Sequence, residues 1–349
     1  MLYKLSEIAS VIMGQSPKSS SYNSDMLGLP FLQGRTTFGD KYPYFDIWTT
    51  EWNKEANPND ILFTVRAPVG DLNIANTKIA IGRGIAAIRP KKVTTLYLYY
   101  LLQTNKHIFL TSSVGTIFDS INKDALESVY LDIHKEQDQH HIVNTIGSVD
   151  NLIENLTKQN EILMTLGISK INQFNNSYEK KSLNKIVKFE KGFEVGSSKY
   201  IEIYKKGLIN YLRVGDLLSL GNTYIDEKDS DKIAKFEDIL VAFDGSPGRN
   251  SIGLVGAYSS GIYNLKSTNK DKGLVYFEMN SDINKKIINN HSKGTTILHA
   301  SKSINYLIYV DVDNNDRKVL NNYFNLILQN KKKINFLNKI KDNLLNKYF

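Results

Sequence analysis

Asp60-Ile61-Leu62, followed by Gly70, returns downstream as Asp238-Ile239-Leu240, followed by Gly248, at a shift close to 178 residues. The same shift relates other blocks in the same order. Leu5, Ile8, Ala9 and Gly14 reappear as Leu183, Ile186, Val187 and Gly192 with identical internal spacing. Gly115-Thr116, Lys123 and Val129-Tyr130-Leu131-Asp132-Ile133 reappear as Gly294-Thr295, Lys302 and Ile308-Tyr309-Val310-Asp311-Val312, one residue further along. An insertion that small is absorbed by a loop. Finally, Ile142, Ile146, Val149, Ile153, Leu156, Asn160 and Leu163 alternate by four and three, the seam spacing of a coiled coil. They answer to Leu320, Phe324, Ile327, Lys331, Ile334, Asn338 and Lys341. A collinear duplication of this kind means that one supersecondary plan is used twice.

Each half reads as a globular part followed by a long amphipathic helix. The expected division is a first globular domain at 1–133, a central helix at 134–174, a second globular domain at 175–313 with a polar linker at 172–181, and a terminal helix at 314–349. The runs Asp60 to Val65, Gly84 to Ile88, Ile239 to Phe243 and Tyr306 to Val312 read as short strands between Gly, Pro and Asn turns. Thr95 to Leu102 and then Gln103 to Phe109 read as helix. The fold class is therefore mixed α/β (α+β). A helix of roughly 38 residues is about 57 Å long and would not leave its apolar stripe in water. The expected arrangement is an antiparallel coiled-coil pair with one globular part at each end and an internal pseudo-twofold axis. Lys331 and Lys341 weaken the second stripe, and Asn160 and Asn338 either fix the register of the seam or face water. Tyr42-Pro43-Tyr44-Phe45 and Trp48 to Trp52 are expected to pack the first core.

With 349 residues, 41% hydrophobic and 23% charged, the chain can bury two cores, which excludes a disordered or fibrous protein. The formal charge of +8 fits a polyanionic partner, and it equally fits the Lys-rich composition of an AT-rich genome. No cysteine is present, so disulfides, thiolate nucleophiles and Cys-type zinc sites are excluded, and a reducing compartment suits the chain. Met1 to Gly14 lacks the apolar core of a signal peptide, and no run approaches a membrane span, so the expected location is the cytoplasm with no membrane partner. Catalytic signatures are missing. Asn57-Pro58-Asn59-Asp60 is the nearest text to an Asn/Asp-Pro-Pro-aromatic methyltransferase loop, and it lacks the second Pro and the aromatic. No phosphate-binding Gly-rich loop exists, and His140-His141 among six histidines gives no metal spacing.

These blocks in this order resemble the specificity subunit of type I restriction-modification systems, over nearly the whole chain. Gly14-Gln15-Ser16-Pro17 is similar to the family's early Gly-x-Ser/Thr-Pro turn, the two Asp-Ile-Leu strands to its strand signal, and Gly115-Thr116 through Ile133, Glu136-Gln137 and Ile142 to its approach to the first long helix. The second half departs from the pattern: Gly192-Phe193-Glu194-Val195 replaces the early turn, Asp316-Arg317 stands in place of Glu136-Gln137, and the Pro-rich turn before the helix is missing from both copies. The resemblance implies two target-recognition domains that each read one half of a bipartite, asymmetric double-stranded DNA target, with the helix pair setting the spacer. It implies a non-catalytic chain that directs methylation and cleavage by two methyltransferase (modification) subunits and by restriction (motor and nuclease) subunits. S-adenosylmethionine, ATP and Mg would serve those partners, with no cofactor and no metal bound by this chain. The outer faces of 137–174 and 316–349 would be either docking surfaces for them or covered by the globular parts.

A base edge is read by donors and acceptors held rigidly, whereas the backbone is gripped by positive charge and amide groups. Arginine, scarce here relative to lysine, is the side chain that addresses guanine through two bonds. In the first half the candidates are Arg35, Arg66 and Arg83, with Gln33-Gly34-Arg35-Thr36-Thr37 as the preferred reading loop. In the second they are Arg213, Asp244, Arg249 and Asn250, with Asp244 at the shifted position of Arg66. Backbone contacts are expected from Lys18, Ser112, Ser113 and Thr116, and from Lys199, Lys293, Thr295 and Thr296. Each of these residues also reads as an ordinary turn or solvated surface group. Two other classes remain: a helical scaffold whose globular parts bind proteins, and the recognition half of a single-chain methyltransferase-nuclease, which would need catalytic sequence before Met1.

Overall fold

The continuous burial of the strand Ile61–Thr64 is explained by cores on both of its faces. The computed structural model describes residues 1–111, 120–294 and 298–349. It falls into two compact units, unit 1 comprising Met1–Asn151 and Lys339–Phe349, and unit 2 comprising Leu152–Asn338.

In unit 1, Ile61 and Phe63 point into a core shared with Tyr97, Leu98 and Leu101 of the helix Thr95–Thr104, while Leu62 points into a smaller core with Leu32, Ile79 and Ile81. The four-stranded antiparallel sheet runs in the order Ala9–Met13, Ile85–Pro90, Ile61–Thr64 and Leu72–Ile74. A second sheet lies beyond the smaller core, and in it Leu29–Leu32 runs parallel to Ile79–Ile81, with Phe31 opposite Ala80 and Leu32 opposite Ile81. Leu2–Lys4 pairs with Tyr130–Asp132. The buried Asp60 has a structural task. Its carboxylate accepts the Asn57 amide at 2.8 Å and both the Nε and Nη2 of Arg89, at 2.9 and 2.8 Å.

Unit 2 repeats the plan. Its main sheet runs Lys188–Lys191, Ile262–Lys266, Leu240–Ala242, Asn250–Ser251, and Leu208–Leu212 runs parallel to Gly256–Tyr258 in the second sheet. Ile239 and Val241 face one core and Leu240 and Ala242 the other. Asp238 takes the part of Asp60, accepting the Lys235 amide, Asn264 Nδ2 and Lys266 Nζ. Burial works to raise its pKa, and these donors outweigh burial and hold it below the usual carboxylate value. The architecture is thus the duplicated, mixed α/β one expected.

The helix Glu136–Phe174 contributes its first part to unit 1 and its remainder to unit 2, and the helix Asn314–Tyr348 does the reverse. Within unit 1 the segments run antiparallel: Lys341 Nζ lies 2.7 Å from Asp150 Oδ1, and Tyr348 Oη lies 3.1 Å from His141 Nε2. Ile142 and Ile146 are fully buried there. Lys341, which seemed to break the apolar stripe, is an ion-pair partner: Asp150 is 5% exposed and also accepts the Tyr100 hydroxyl at 2.6 Å. Within unit 2, Asn330 Nδ2 donates to Asn160 Oδ1 at 3.0 Å. Of the two readings left open for the seam asparagines, Asn338 is exposed to water, and Asn160 is paired, with Asn330. Lys331 lays its stem beside Gly253. Burial pushes its ammonium pKa down.

Two further readings change. Tyr42, Tyr44 and Trp52 are exposed, and of that aromatic group Phe45 is the one packed on the smaller core. The helix continues to Phe174 and the strand Lys180–Ser182 follows, so the polar connection is shorter than 172–181.

Glu278, on the helix Lys272–Met279, is 2% exposed and accepts the Val310 amide at 2.7 Å. Burial pushes its carboxyl up to about 7. A carboxyl whose folded pKa lies above its unfolded value of 4.5 gives its full contribution below that value and loses it as pH rises through 7. Glu278→Gln keeps the acceptor and removes the titration. It is expected to raise the thermal midpoint at pH 8 by roughly 5 °C and to leave it unchanged at pH 4, measured by calorimetry.

Candidate nucleic-acid interface

Gln33, Gly34, Arg35, Thr64, Arg66, Ala67, Arg83 and Gly84 line one cleft of about 240 Å³ in unit 1. Three main-chain segments build it: the end of the strand Leu29–Leu32, the end of Ile61–Thr64, and the turn between Ile79–Ile81 and Ile85–Pro90. Val65 donates to the Gly84 carbonyl at 3.0 Å and Gly82 to the Leu32 carbonyl at 2.8 Å, which fixes the three segments against one another. Glycine is needed at 84, against backbone, and at 82 a side chain would displace Gln33. A Cβ on Gly84 would lie 2.3 Å from the Gln33 carbonyl, and one on Gly82 would lie 2.5 Å from Gln33 Oε1.

The side chains here are donors. Ser16 Oγ accepts the Arg83 amide at 3.2 Å and donates to Gln33 Oε1 at 2.9 Å, leaving the Gln33 Nε2 hydrogens without a partner among the described residues. Arg66 and Arg83 are exposed, and their guanidinium groups likewise have no partner among the described residues. Arg35 differs, since its Nη1 is held by Asp71 Oδ2 at 2.7 Å. Burial works to raise the Asp71 carboxyl, but hydrogen bonds from Lys106 and Arg35 outweigh it and hold its pKa down.

Unit 2 carries a cleft of about 490 Å³ lined by Glu194, Arg213, Val214, Gly215, Asp216, Asp244, Gly245, Ser259 and Gly261. Its frame is the same. Phe243 donates to the Gly261 carbonyl at 3.0 Å and Ser259 to the Leu212 carbonyl at 2.9 Å, repeating the bonds of Val65 and Gly82. Those bonds and the matching strand registers put Arg213 at the position of Gln33, Asp244 at that of Arg66, and Gly261 at that of Gly84. The chemistry differs: Arg213 keeps a donor at the position of Gln33, but the carboxylates of Asp244 and Glu194 join it. Asp244 Oδ1 meets His299 Nδ1 at 2.8 Å, and its second oxygen has no partner among the described residues. Glu194 accepts from Tyr200 at 3.2 Å and from Ser260 at 2.9 Å. Asp216 is turned inward and capped by the amides of Arg213 and Gly221, at 2.7 and 2.9 Å.

Comparison with known proteins bears on what such clefts serve. Residues 1–164 match the family model described as type I restriction modification DNA specificity domain. The chain is 41% identical over 153 residues to a Methanocaldococcus jannaschii protein named as the MjaX specificity subunit of a type I restriction enzyme. That match covers 43% of this chain and 36% of the relative, so the chain spans well under two thirds of the relative's length. It is also 39% identical to the HsdS subunit of Thermoanaerobacter tengcongensis across 42% of this chain and 35% of that one, with a TM-score of 0.37. Over 100% of this chain and 96% of the other, the fold is similar to that of the type I restriction-modification S subunit from M. genitalium, at a TM-score of 0.54 and 17% identity.

The matched residues 1–164 hold the cleft of Gln33, Arg35, Arg66 and Arg83, four candidates that the fold brings together. Thr36 is exposed beside them, with its carbonyl accepting from Tyr44. Lys18 is exposed at the start of the short helical turn Ser19–Ser21 and does not line the cleft. In unit 2, Arg213 and Asp244 share the cleft, but Arg249 reaches the Val214 carbonyl from behind, and Asn250 is paired with Asn280 through two bonds of 3.1 Å. Lys199 is tied to Asp229, and Lys293 is exposed with its main chain paired to His299. Ser112, Ser113, Thr116, Thr295 and Thr296 lie outside the described residues. Glu194 and Asp216 were not singled out from the sequence. The signal for Glu194 was its place at the shifted position of Ser16, and for Asp216 its spacing of three from Arg213, which makes a helix cap. Among the described residues no helix is long and apolar enough to cross a membrane, and no group of three metal-ligating side chains is present.

Proposed function

We infer that this chain is the non-catalytic recognition subunit of a type I restriction-modification complex, acting in the cytoplasm on double-stranded DNA. Each unit reads one half of a bipartite, asymmetric target, and the two long helices shared by the units set the spacer. The reading is supported above all by the repetition of one cleft on one main-chain frame, once inside the matched DNA specificity domain and once beyond it. Methylation and cleavage belong to two modification subunits and to restriction subunits, which bring S-adenosylmethionine, ATP and Mg.

Insertion of one helical turn into each long helix tests the spacer. A turn adds about 5.4 Å, and base pairs stack about 3.4 Å apart, so the preferred gap between half-targets should lengthen by one or two base pairs. Sequencing of DNA methylated by the assembled complex reads the gap directly. An unchanged gap in a variant that still assembles and methylates would remove the helices from that role.

A further inference from the structure

The two clefts share a frame and differ in hydrogen-bond polarity at the positions of Arg66 and Ser16. In unit 1 the groups facing the cleft are the guanidinium groups of Arg66 and Arg83 and the amide hydrogens of Gln33, and its lining holds no carboxylate. In unit 2 the position of Arg66 is held by Asp244, that of Arg83 by Ser260 and that of Ser16 by Glu194, while Arg213 keeps a donor at the position of Gln33. A donor cleft is ambiguous at DNA, because phosphate oxygens and the O6 and N7 of guanine are both acceptors. A carboxylate is not ambiguous. Phosphate repels it, and the base groups that satisfy it in the major groove are the exocyclic amines, N4 of cytosine and N6 of adenine. His299 holds one oxygen of Asp244 and leaves the other for such a donor.

We propose that Asp244 in unit 2 reads the exocyclic amine of one base, and that Arg66 at the equivalent position in unit 1 reads the acceptor edge of a guanine. The assignment rests on the DNA-reading function above and adds the chemical group that each unit recognises. One position thus sets opposite base preferences in the two half-targets. Glu194 and Gln33 stand beside these readers, anchored by Ser260 and Ser16, so each cleft offers a second group of the same polarity as its first.

The test uses the full chain and a randomised DNA duplex pool to recover the two half-targets. Duplexes are then made in which single amines are deleted, with purine for adenine or pyrimidin-2-one for cytosine, or in which single guanines become 7-deazaguanine. For the unchanged protein, one amine deletion in one half-target should weaken binding roughly five- to a hundredfold, and one 7-deazaguanine should do so in the other half. Asp244→Ala should abolish the first sensitivity and keep the second, and Arg66→Gln should do the reverse. His299→Ala, which removes the anchor of Asp244 but no base contact, should retain the amine sensitivity and so separates reading from loop support. If Asp244→Ala binds DNA with its amine sensitivity intact, the assignment is wrong while DNA reading stands. If Arg66→Gln weakens binding evenly over all sequences, Arg66 grips phosphate and that half of the assignment is overturned. Recovery of no preferred sequence would overturn the DNA-reading function itself.

Discussion

Lys341→Met should lower the stability of the chain by about 3 kcal/mol, because it leaves the Asp150 carboxylate 5% exposed and, among the described residues, bonded only to the Tyr100 hydroxyl. The attraction between the two charges is not the source of that loss. Desolvation of an ion offsets most of what its partner returns, and the damage comes from stranding one member. The triple change Asp150→Leu, Lys341→Met and Tyr100→Phe removes every polar partner together, and it should recover most of the lost stability. Urea unfolding of the single and triple variants measures both. A single variant within about 0.5 kcal/mol of the parent, the scatter of surface changes, would mean that water reaches Asp150.

Affinity for duplex DNA should fall roughly a thousandfold as salt rises from about 50 to about 200 mM, the behaviour of a protein that displaces counterions from six or more phosphates. The +8 charge makes this the expected regime. Fluorescence anisotropy over a salt series gives the slope. Lys18→Ala should make it shallower by about 1, as loss of one phosphate contact does. Lys199→Ala should change it less, since Lys199 is already engaged by Asp229 at 2.5 Å. A flat salt series would transfer the clefts to a protein partner.

The duplicated plan was legible because it is written in periodic apolar positions and in the two Asp-Ile-Leu strands, where burial on both faces leaves little choice of residue. The exchange of Arg66 for Asp244 could be read from the repeat shift alone. What escaped was whatever depends on a partner in space. Asn338 answers to Asn160 by the repeat, but in an antiparallel pair the opposite residue is approached from the other end of the helix, and that residue is Asn330. Lys341 looked like a defect because Asp150 sits on the same buried side only once the helices are folded together. Asn250 and Asn280 cancel one another's hydrogen-bonding capacity although thirty positions apart, which spacing does not reveal. Tyr42, Tyr44 and Trp52 read as core by residue type, yet the core beneath them is filled by Ala56, Ala75 and Leu32.

The frame of each cleft is carried by main-chain bonds, such as Val65 to Gly84 and Phe243 to Gly261, which make no demand on the identity of the side chains at 66 and 244. Folding and vocabulary are therefore separable at these positions: a library of substitutions there could be screened for new target sequences with little penalty in yield, and retargeting one half should leave the grammar of the other untouched.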